Sequence, residues 1–319
     1  MVLLALMQLP GIGRKSLNQH VFLDGSEKCT ADILQAILTK ARIKSSRIKE
    51  YSAEDIKLAI DQAYEIGEAC KQYDIHIVTK YDALYPLRFH VSDDPPIILY
   101  YKGDISILEK ARTIAVVGTR EPTEYGYRIG IRVGEILANA GVIVVSGLAV
   151  GCDTSGHQGA LNGKGLTVAI LANGLDTIYP ASNKQLAEEI LSGGGCLISE
   201  YPPHAALQRG FFVDRDRLQA CLSDALFVIE TDVTGGTMHT VEFARKYKRK
   251  IYCFRHPEKY QHEPKVQGNL KMMETGIAAG VYSKADIQTM LDEVAAANTT
   301  GTDAVHSADS YQISFFDME

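Results

Sequence analysis

Residues 113–153 read TIAVVGTREPTEYGYRIGIRVGEILANAGVIVVSGLAVGCD. The stretch opens on a short apolar run, Thr113–Val117, that breaks at Gly118-Thr119-Arg120. An amphipathic pattern follows over roughly 124–139, and a second apolar run, Val142–Val145, breaks at Ser146-Gly147. Runs too short for helices, separated by one 3.6-residue periodicity, make a strand–helix–strand unit. Strands apolar at nearly every position are buried on both faces, as in a parallel sheet covered by helices on two sides.

The alternation continues outward. Strand character recurs at Leu166–Leu171, Cys196–Ser199, Leu226–Ile229 and Lys250–Phe254, with helices expected at 154–162, 183–191 and 237–247 and a short one at 215–222. Upstream, Ile75–Val78 and Ile97–Tyr101 read as two more strands. The fold class is α/β, a doubly wound parallel sheet spanning 73–292. Residues 1–72 carry helical periodicity without strand alternation and form a small helical domain. Within it, Gly11-Ile12-Gly13 followed by Arg14 and Lys15 matches the turn of a helix-hairpin-helix or SAM-like module, or a plain helical turn. From 293 to 319 the composition shifts to Ala, Asn, Thr, Gly and Ser, which predicts a flexible tail.

The bulk composition excludes several classes. A net charge of −6 over 319 residues gives no global cationic field, so any nucleic-acid site must be a local patch. The six cysteines make no C-x-x-C pair and read as reduced, mostly buried thiols. The apolar start, Met1 to Pro10, lacks a basic n-region and a cleavage site, and no run is long enough to span a bilayer. The expected setting is the cytoplasm.

In an open parallel sheet, ligands bind beyond the carboxyl ends of the strands. Four glycine-bearing loops fall there, and a phosphate suits such loops because glycine lets the backbone amides approach closely. The candidate phosphate-binding residues are Gly118, Thr119, Arg120, Ser146, Gly147, Gly174, Gly235, Gly236 and Thr237. The segment Arg209-Gly210-Phe211-Phe212-Val213-Asp214-Arg215-Asp216-Arg217 adds Arg209, Phe212, Arg215 and Arg217: arginines for phosphates and a ring for stacking a base. The alternative pairs each Arg with a neighbouring Asp and buries the rings. Asp153 and His157, four apart on one helix face, read as a helix cap and a packing residue rather than a metal pair. No dinucleotide fingerprint, Walker A motif or nucleophile elbow occurs, and no catalytic residue, metal or cofactor is assigned.

Taken in order, VVGTREPTEYG (116–126), SGLAVGCDTSGHQGAL (146–161), AILANGLDTIYPASN (169–183), ISEYPP (198–203), FFVDRDRLQACLSDALFVIE (211–230) and TGGTMHTVEFA (234–244) resemble the DNA-processing protein A family (DprA/Smf), as does the approach segment YDALYPLRFHVSDDPPIILYYKGD (81–104). The resemblance covers residues 80 to 257. It implies an extended Rossmann-like domain, usually homodimeric, that binds single-stranded DNA and loads a RecA-type recombinase in transformation or recombination, without catalysis. It also implies that Gly118 and Arg120, with the amides of Gly147, Gly235 and Gly236, hold a phosphate beside Phe212, Arg215 and Arg217. The chain departs from the family's usual Arg-Asn-Arg with Arg215-Asp216-Arg217, and Asp214 adds another carboxylate. Each carboxylate close to a phosphate channel opposes DNA by about 1 kcal/mol. Too few residues follow 292 for the winged-helix domain of many relatives.

Two other readings compete. A nucleotide-sensing defence protein would use the acidic substitutions to hold a smaller ligand. A nucleotide phosphoribohydrolase-like enzyme would use Gly235-Gly236-Thr237 with Glu242, although the spacing departs from that motif. In the tail, Gln312-Ile313-Ser314-Phe315-Phe316 resembles the docking pentapeptide for the DNA polymerase sliding clamp. Its alternative is folding back of the two phenylalanines onto the chain's own core.

Overall fold

A computed structural model describes residues 1–21, 23, 28–45 and 48–297. Four helices come first: α1 (Val2–Gln8), α2 (Arg14–His20), α3 (Ala31–Lys44) and α4 (Ala53–Gln72). The fourth starts on a capping box, in which the Ser52 hydroxyl accepts from the Asp55 amide and the Asp55 carboxylate accepts from the Ser52 amide. Then follow β1 (His76–Thr79), β2 (Ile98–Gly103), α5 (Ile107–Lys110), β3 (Thr113–Val117), α6 (Glu124–Asn139), β4 (Ile143–Ser146) and α7 (Cys152–Asn162). The remainder is β5 (Thr167–Leu171), α8 (Lys184–Ser192), β6 (Cys196–Ser199), α9 (Arg209–Leu222), β7 (Ala225–Val228), α10 (Thr237–Lys246), β8 (Lys250–Phe254), α11 (Gln267–Glu274), β9 (Ala279–Val281) and α12 (Lys284–Ala297).

The strands form one nine-stranded sheet in the order β1-β2-β6-β5-β4-β3-β7-β8-β9. From β6 to β9 every neighbour is parallel, whereas β1 and β2 join antiparallel at one edge. The chain leaves β3 toward β4, β5 and β6 on one side and returns to β7 on the other. The sheet therefore reverses direction of winding between β3 and β7, the topological switch point.

Alternate residues of each strand feed opposite cores. Val168 and Ile170 pack with α9, α10 and α11 residues such as Leu218, Val241 and Met272. On the other face, Val144 and Phe227 pack with Ile129 and Val133 of α6 and with Met290 of α12. That same face, over β2, β5 and β6, is covered by α8 and by the N-terminal helices, whose Leu6, Leu17, Leu34 and Ile56 share one cluster with Tyr100, Leu171 and Leu197. Among the described residues no helix is long and apolar enough to cross a membrane.

Two expectations are corrected here. The short helix expected at 215–222 begins six residues earlier, at Arg209, because the charged segment winds its first turns with their side chains largely outside the core. The stretch expected to become a tail at 293 continues as helix to Ala297, where Met290 and Val294 bury the last apolar stripe. The clamp-like pentapeptide, Gln312 to Phe316, lies outside the described residues.

Candidate functional site

A cleft of about 370 Å³ opens at the switch point. Its floor is the loop after β3, with Gly118, Thr119 and Arg120; its walls are the loop after β7, with Gly235, Gly236 and Thr237, and the start of α9, with Phe212, Arg215 and Asp216. The loop after β3 is fixed from below. The Thr119 amide donates to the Glu230 carbonyl at 2.7 Å, and a Cβ on Gly118 would lie 2.5 Å from Cys152 Sγ. Glu230 is fully buried and accepts from the Thr123 amide and hydroxyl, each at 2.7 Å, while His256 contacts it at 3.0 Å. Thr123 caps α6, so this carboxylate ties the helix start to the loop that presents Arg120.

Arg120 is exposed, and its guanidinium lies 5.0 Å from the centroid of the Phe212 ring. A cation over a ring face is held without losing its hydrogen-bond donors, so the fork remains available to a phosphate. At the start of α10 the amides of Gly236 and Thr237 have no acceptor among the described residues. Helix N-termini present such donors to anions. Lys265, which the sequence reading missed, enters the cleft 3.4 Å from Asp232 and 3.9 Å from Glu121.

Arg215 is almost buried and binds Asp153 at 3.3 Å and Asp216 at 3.4 Å. Its guanidinium lies against the backbone of Gly147, where a Cβ would stand 1.1 Å from Nη1. The Gly147 amide is already used, donating to Asp153 Oδ2 at 3.2 Å. The Gln219 carboxamide completes the arrangement, its nitrogen 3.2 Å from Asp216 Oδ1 and its oxygen 2.8 Å from the Gly147 amide. Burial, with Asp153 close by, pushes the Asp216 carboxyl up to about 6 against the pull of Arg215, His239 and Arg120.

Gly118, Thr119, Arg120, Phe212, Arg215, Gly235, Gly236 and Thr237 are thus gathered in one cleft. Five other expected residues are placed differently. Ser146 is buried and donates to the Val116 carbonyl at 2.6 Å. Gly147 lines a neighbouring recess with Tyr179, but its amide serves Asp153 rather than an anion. Gly174 is buried against Pro202, whose carbonyl would be 2.3 Å from an added Cβ. Arg209 is exposed at the outer end of α9 and lines neither recess.

Arg217 is the fifth, and it is buried on the opposite side of the helix. There it binds Glu200 and the Asp94 carbonyl. Arg14 joins this network through Glu200 at 3.0 Å, Asp94 at 2.9 Å and Asp214 at 3.6 Å. Burial opposes its charge, yet Glu200 and Asp94 offset that and hold the Arg14 guanidinium above its ordinary pKa. Asp214, expected beside the channel, instead accepts from the Tyr201 hydroxyl at 3.1 Å.

Asp153 does not cap its own helix as expected. It gathers the amides of Gly147 and Ala149 from the preceding loop. His157 packs as expected, with Nδ1 2.7 Å from the Thr167 hydroxyl, and burial followed by Arg215 lowers its pKa to about 3. Glu242, invoked for the enzyme reading, is exposed on α10, pairs with Arg245 at 3.0 Å and does not line the cleft. Among the described residues no group of three or more His, Cys, Asp or Glu gathers to hold a metal.

An open α/β sheet whose switch point carries a cation, an aromatic ring and open helix amides offers the kinds of donor that nucleotide and nucleic-acid phosphates accept from. The chain belongs to the DNA recombination-mediator protein A family, whose model matches residues 76–292. It is 30% identical over 270 residues to the DNA processing protein DprA of Bacillus subtilis, covering 85% of this chain and 88% of that protein. It is 33% identical over 187 residues to protein Smf of Escherichia coli, covering 59% of this chain and 50% of that protein. Against that relative the chain spans about half the length. The structure of DNA processing protein A from Streptococcus pneumoniae superposes with a TM-score of 0.66 at 25% identity, covering 87% of this chain and 98% of that one. The Helicobacter pylori protein, described for its single-stranded DNA binding mode, superposes with a TM-score of 0.61 at 28% identity, covering 70% and 97%.

Proposed function

We infer that this chain binds single-stranded DNA as an accessory to recombination or transformation, and that it acts by binding rather than catalysis. The observation that carries the reading is Arg120 held over Phe212 beside the open amides of Gly236 and Thr237, in a chain of this family. The cation and the amides suit backbone phosphates, and the ring suits a base available only in an unpaired strand. A cytoplasmic setting, a homodimer and a RecA-type recombinase partner belong to the same reading. So does docking of Gln312–Phe316 on a sliding clamp, which would bring the chain to exposed single strands.

A titration of labelled single-stranded and duplex oligonucleotides at two salt concentrations, run beside a nucleotide hydrolysis assay, tests it. Single strands should bind more tightly than duplex, with affinity falling steeply as salt rises. Hydrolysis, or equal affinity for both forms, would overturn it.

A further inference from the structure

The charge lining the cleft is not uniform. Three cations, Arg120, Arg215 and Lys265, face four carboxylates, Glu121, Asp153, Asp216 and Asp232. Two of those carboxylates are held by loop amides and by a cation. Asp153 gathers the Gly147 and Ala149 amides and Arg215 on Oδ2, and Asp232 holds the Thr234 amide on Oδ1 and Lys265 on Oδ2. Glu121 is an exposed residue at the rim. Asp216 is half-buried on α9 and accepts from no backbone amide among the described residues. Its Oδ1 meets Arg215 and Gln219, while Oδ2 has no protein partner among the described residues.

A DNA phosphate does not settle beside that oxygen, because like charges repel strongly in a half-buried cleft. The phosphates belong at the other end, with Arg120, Lys265 and the α10 amides. Along a DNA strand the phosphates and sugar ether oxygens only accept hydrogen bonds, so the donors are on the bases. Phe212 lies four residues before Asp216 on α9 and therefore on the same helix face. The shared face brings the edge of a base stacked on that ring within reach of the Asp216 carboxylate.

We propose that Asp216 reads the base held at Phe212, accepting from an exocyclic amino group, so that the cleft favours cytosine over thymine. The two pyrimidines stack alike but differ at this edge. Cytosine offers the N4 amino donor, which carboxylates accept in nucleic-acid recognition, whereas thymine places its O4 acceptor there. This assignment rests on the single-strand reading and adds base preference to it.

The test uses the full chain and two labelled oligomers of equal length, oligo(dC) and oligo(dT), at pH 8, with wild type and Asp216→Asn. Wild type should prefer oligo(dC) about fivefold, the scale of one base-edge hydrogen bond. Asparagine both donates and accepts, so it can turn to suit either base and should bring the two within twofold. Asp216→Ser, which keeps a small polar group, serves as a second variant should the first melt early, and it too should lose the preference. Binding of both oligomers within twofold by wild type, or a preference retained in both variants, overturns the base-reading role alone. Failure of wild type to bind either oligomer overturns the single-strand reading and this assignment with it.

Discussion

Arg215 and Arg217 sit two residues apart on one helix and do opposite work. Arg215 faces the cleft, pressed on Gly147 and flanked by Asp153 and Asp216. Arg217 faces the N-terminal helices, locked to Glu200 in a network that also holds Arg14, Asp94 and Asp214. Residues two apart on an α-helix point about 200° away from each other. A run of alternating arginines and aspartates is therefore two sites rather than one, and α9 is the beam between them. One face shapes the ligand cleft, and the other fastens the N-terminal helices to the end of β6.

The largest expected effect breaks the structural side. Arg217→Ala leaves the buried carboxylate of Glu200 short of a partner, beside Arg14 alone. Removing one member of a buried pair costs about 3–5 kcal/mol. Urea unfolding should show that loss as a lower midpoint with an unchanged slope, and a midpoint equal to wild type would refute the structural role.

A smaller effect sharpens the cleft side. The Asp216 carboxyl is raised above its usual value of 3.8 to about 6. Its proton is thus held more tightly in the folded state than in the unfolded one. The stability this gives is complete below about pH 4 and is lost as pH rises through about 6. Asp216→Asn should therefore stabilise the fold at pH 7.5, on the order of 2 kcal/mol. The same variant should bind oligo(dT), which offers this carboxylate no donor, about threefold more tightly at that pH, because it removes a charge from the cleft. Wild-type affinity for oligo(dT) should rise as pH falls from 7.5 to 5.5 and approach that of the variant. The comparison is made in a His239→Gln background, since His239, with Arg215, Asp153 and Arg120, faces this carboxylate. A variant that is less stable at pH 7.5 would show instead that the ion pair with Arg215 outweighs burial.

Arg120→Ala comes next. The side chain is exposed and has no ion-pair partner among the described residues, so stability should change by less than about 0.5 kcal/mol. Affinity for single strands should fall roughly tenfold, and the salt dependence should flatten by about 0.7, the increment for one phosphate contact on a single strand. Unchanged affinity and slope would remove Arg120 from the interface.

The sheet was readable in the sequence because burial on both faces makes each strand a short apolar run. Thr113–Val117, Cys196–Ser199 and Lys250–Phe254 match the structure residue for residue, as does the helix at 124–139. The three-residue strand β9 and the helix α12 were not read, since Ala279-Gly280-Val281 is too short and too small to stand out. Glycine loops at strand ends located the cleft but misassigned individual glycines. Gly147 is required by the close approach of Arg215, a residue 68 positions away in a different element, and no local pattern carries that contact. Lys265, Gln219 and Glu230 went unread for the same reason: each enters from an element whose own sequence serves packing or capping. Among these, only the position of Glu230 after a central strand offered a signal.

The smallest expected effect is the most discriminating between the two faces. By sequence, Asp214 and Asp216 are equivalent acidic additions flanking Arg215, and both read as repelling a phosphate. In the structure Asp214 turns to the N-terminal side, partly exposed, with its oxygens on the Tyr201 hydroxyl and Arg14. It lines the groove of Arg14 and Phe211 rather than the cleft of Arg120 and Phe212. Its charge is screened by solvent and offset by Arg14, and exposed charges farther apart than roughly 8 Å interact weakly at physiological salt. Asp214→Asn should therefore leave single-strand affinity within about 1.5-fold of wild type at every pH where Asp216→Asn changes it. It should lower stability by no more than about 1 kcal/mol, because asparagine keeps an acceptor for Tyr201 while giving up a partly exposed ion pair. Paired titrations of the two variants at 150 mM salt decide the matter. Equal gains in affinity from both would mean that the acidic pair acts as one field on a shared channel, and that the two faces of α9 are not separate sites.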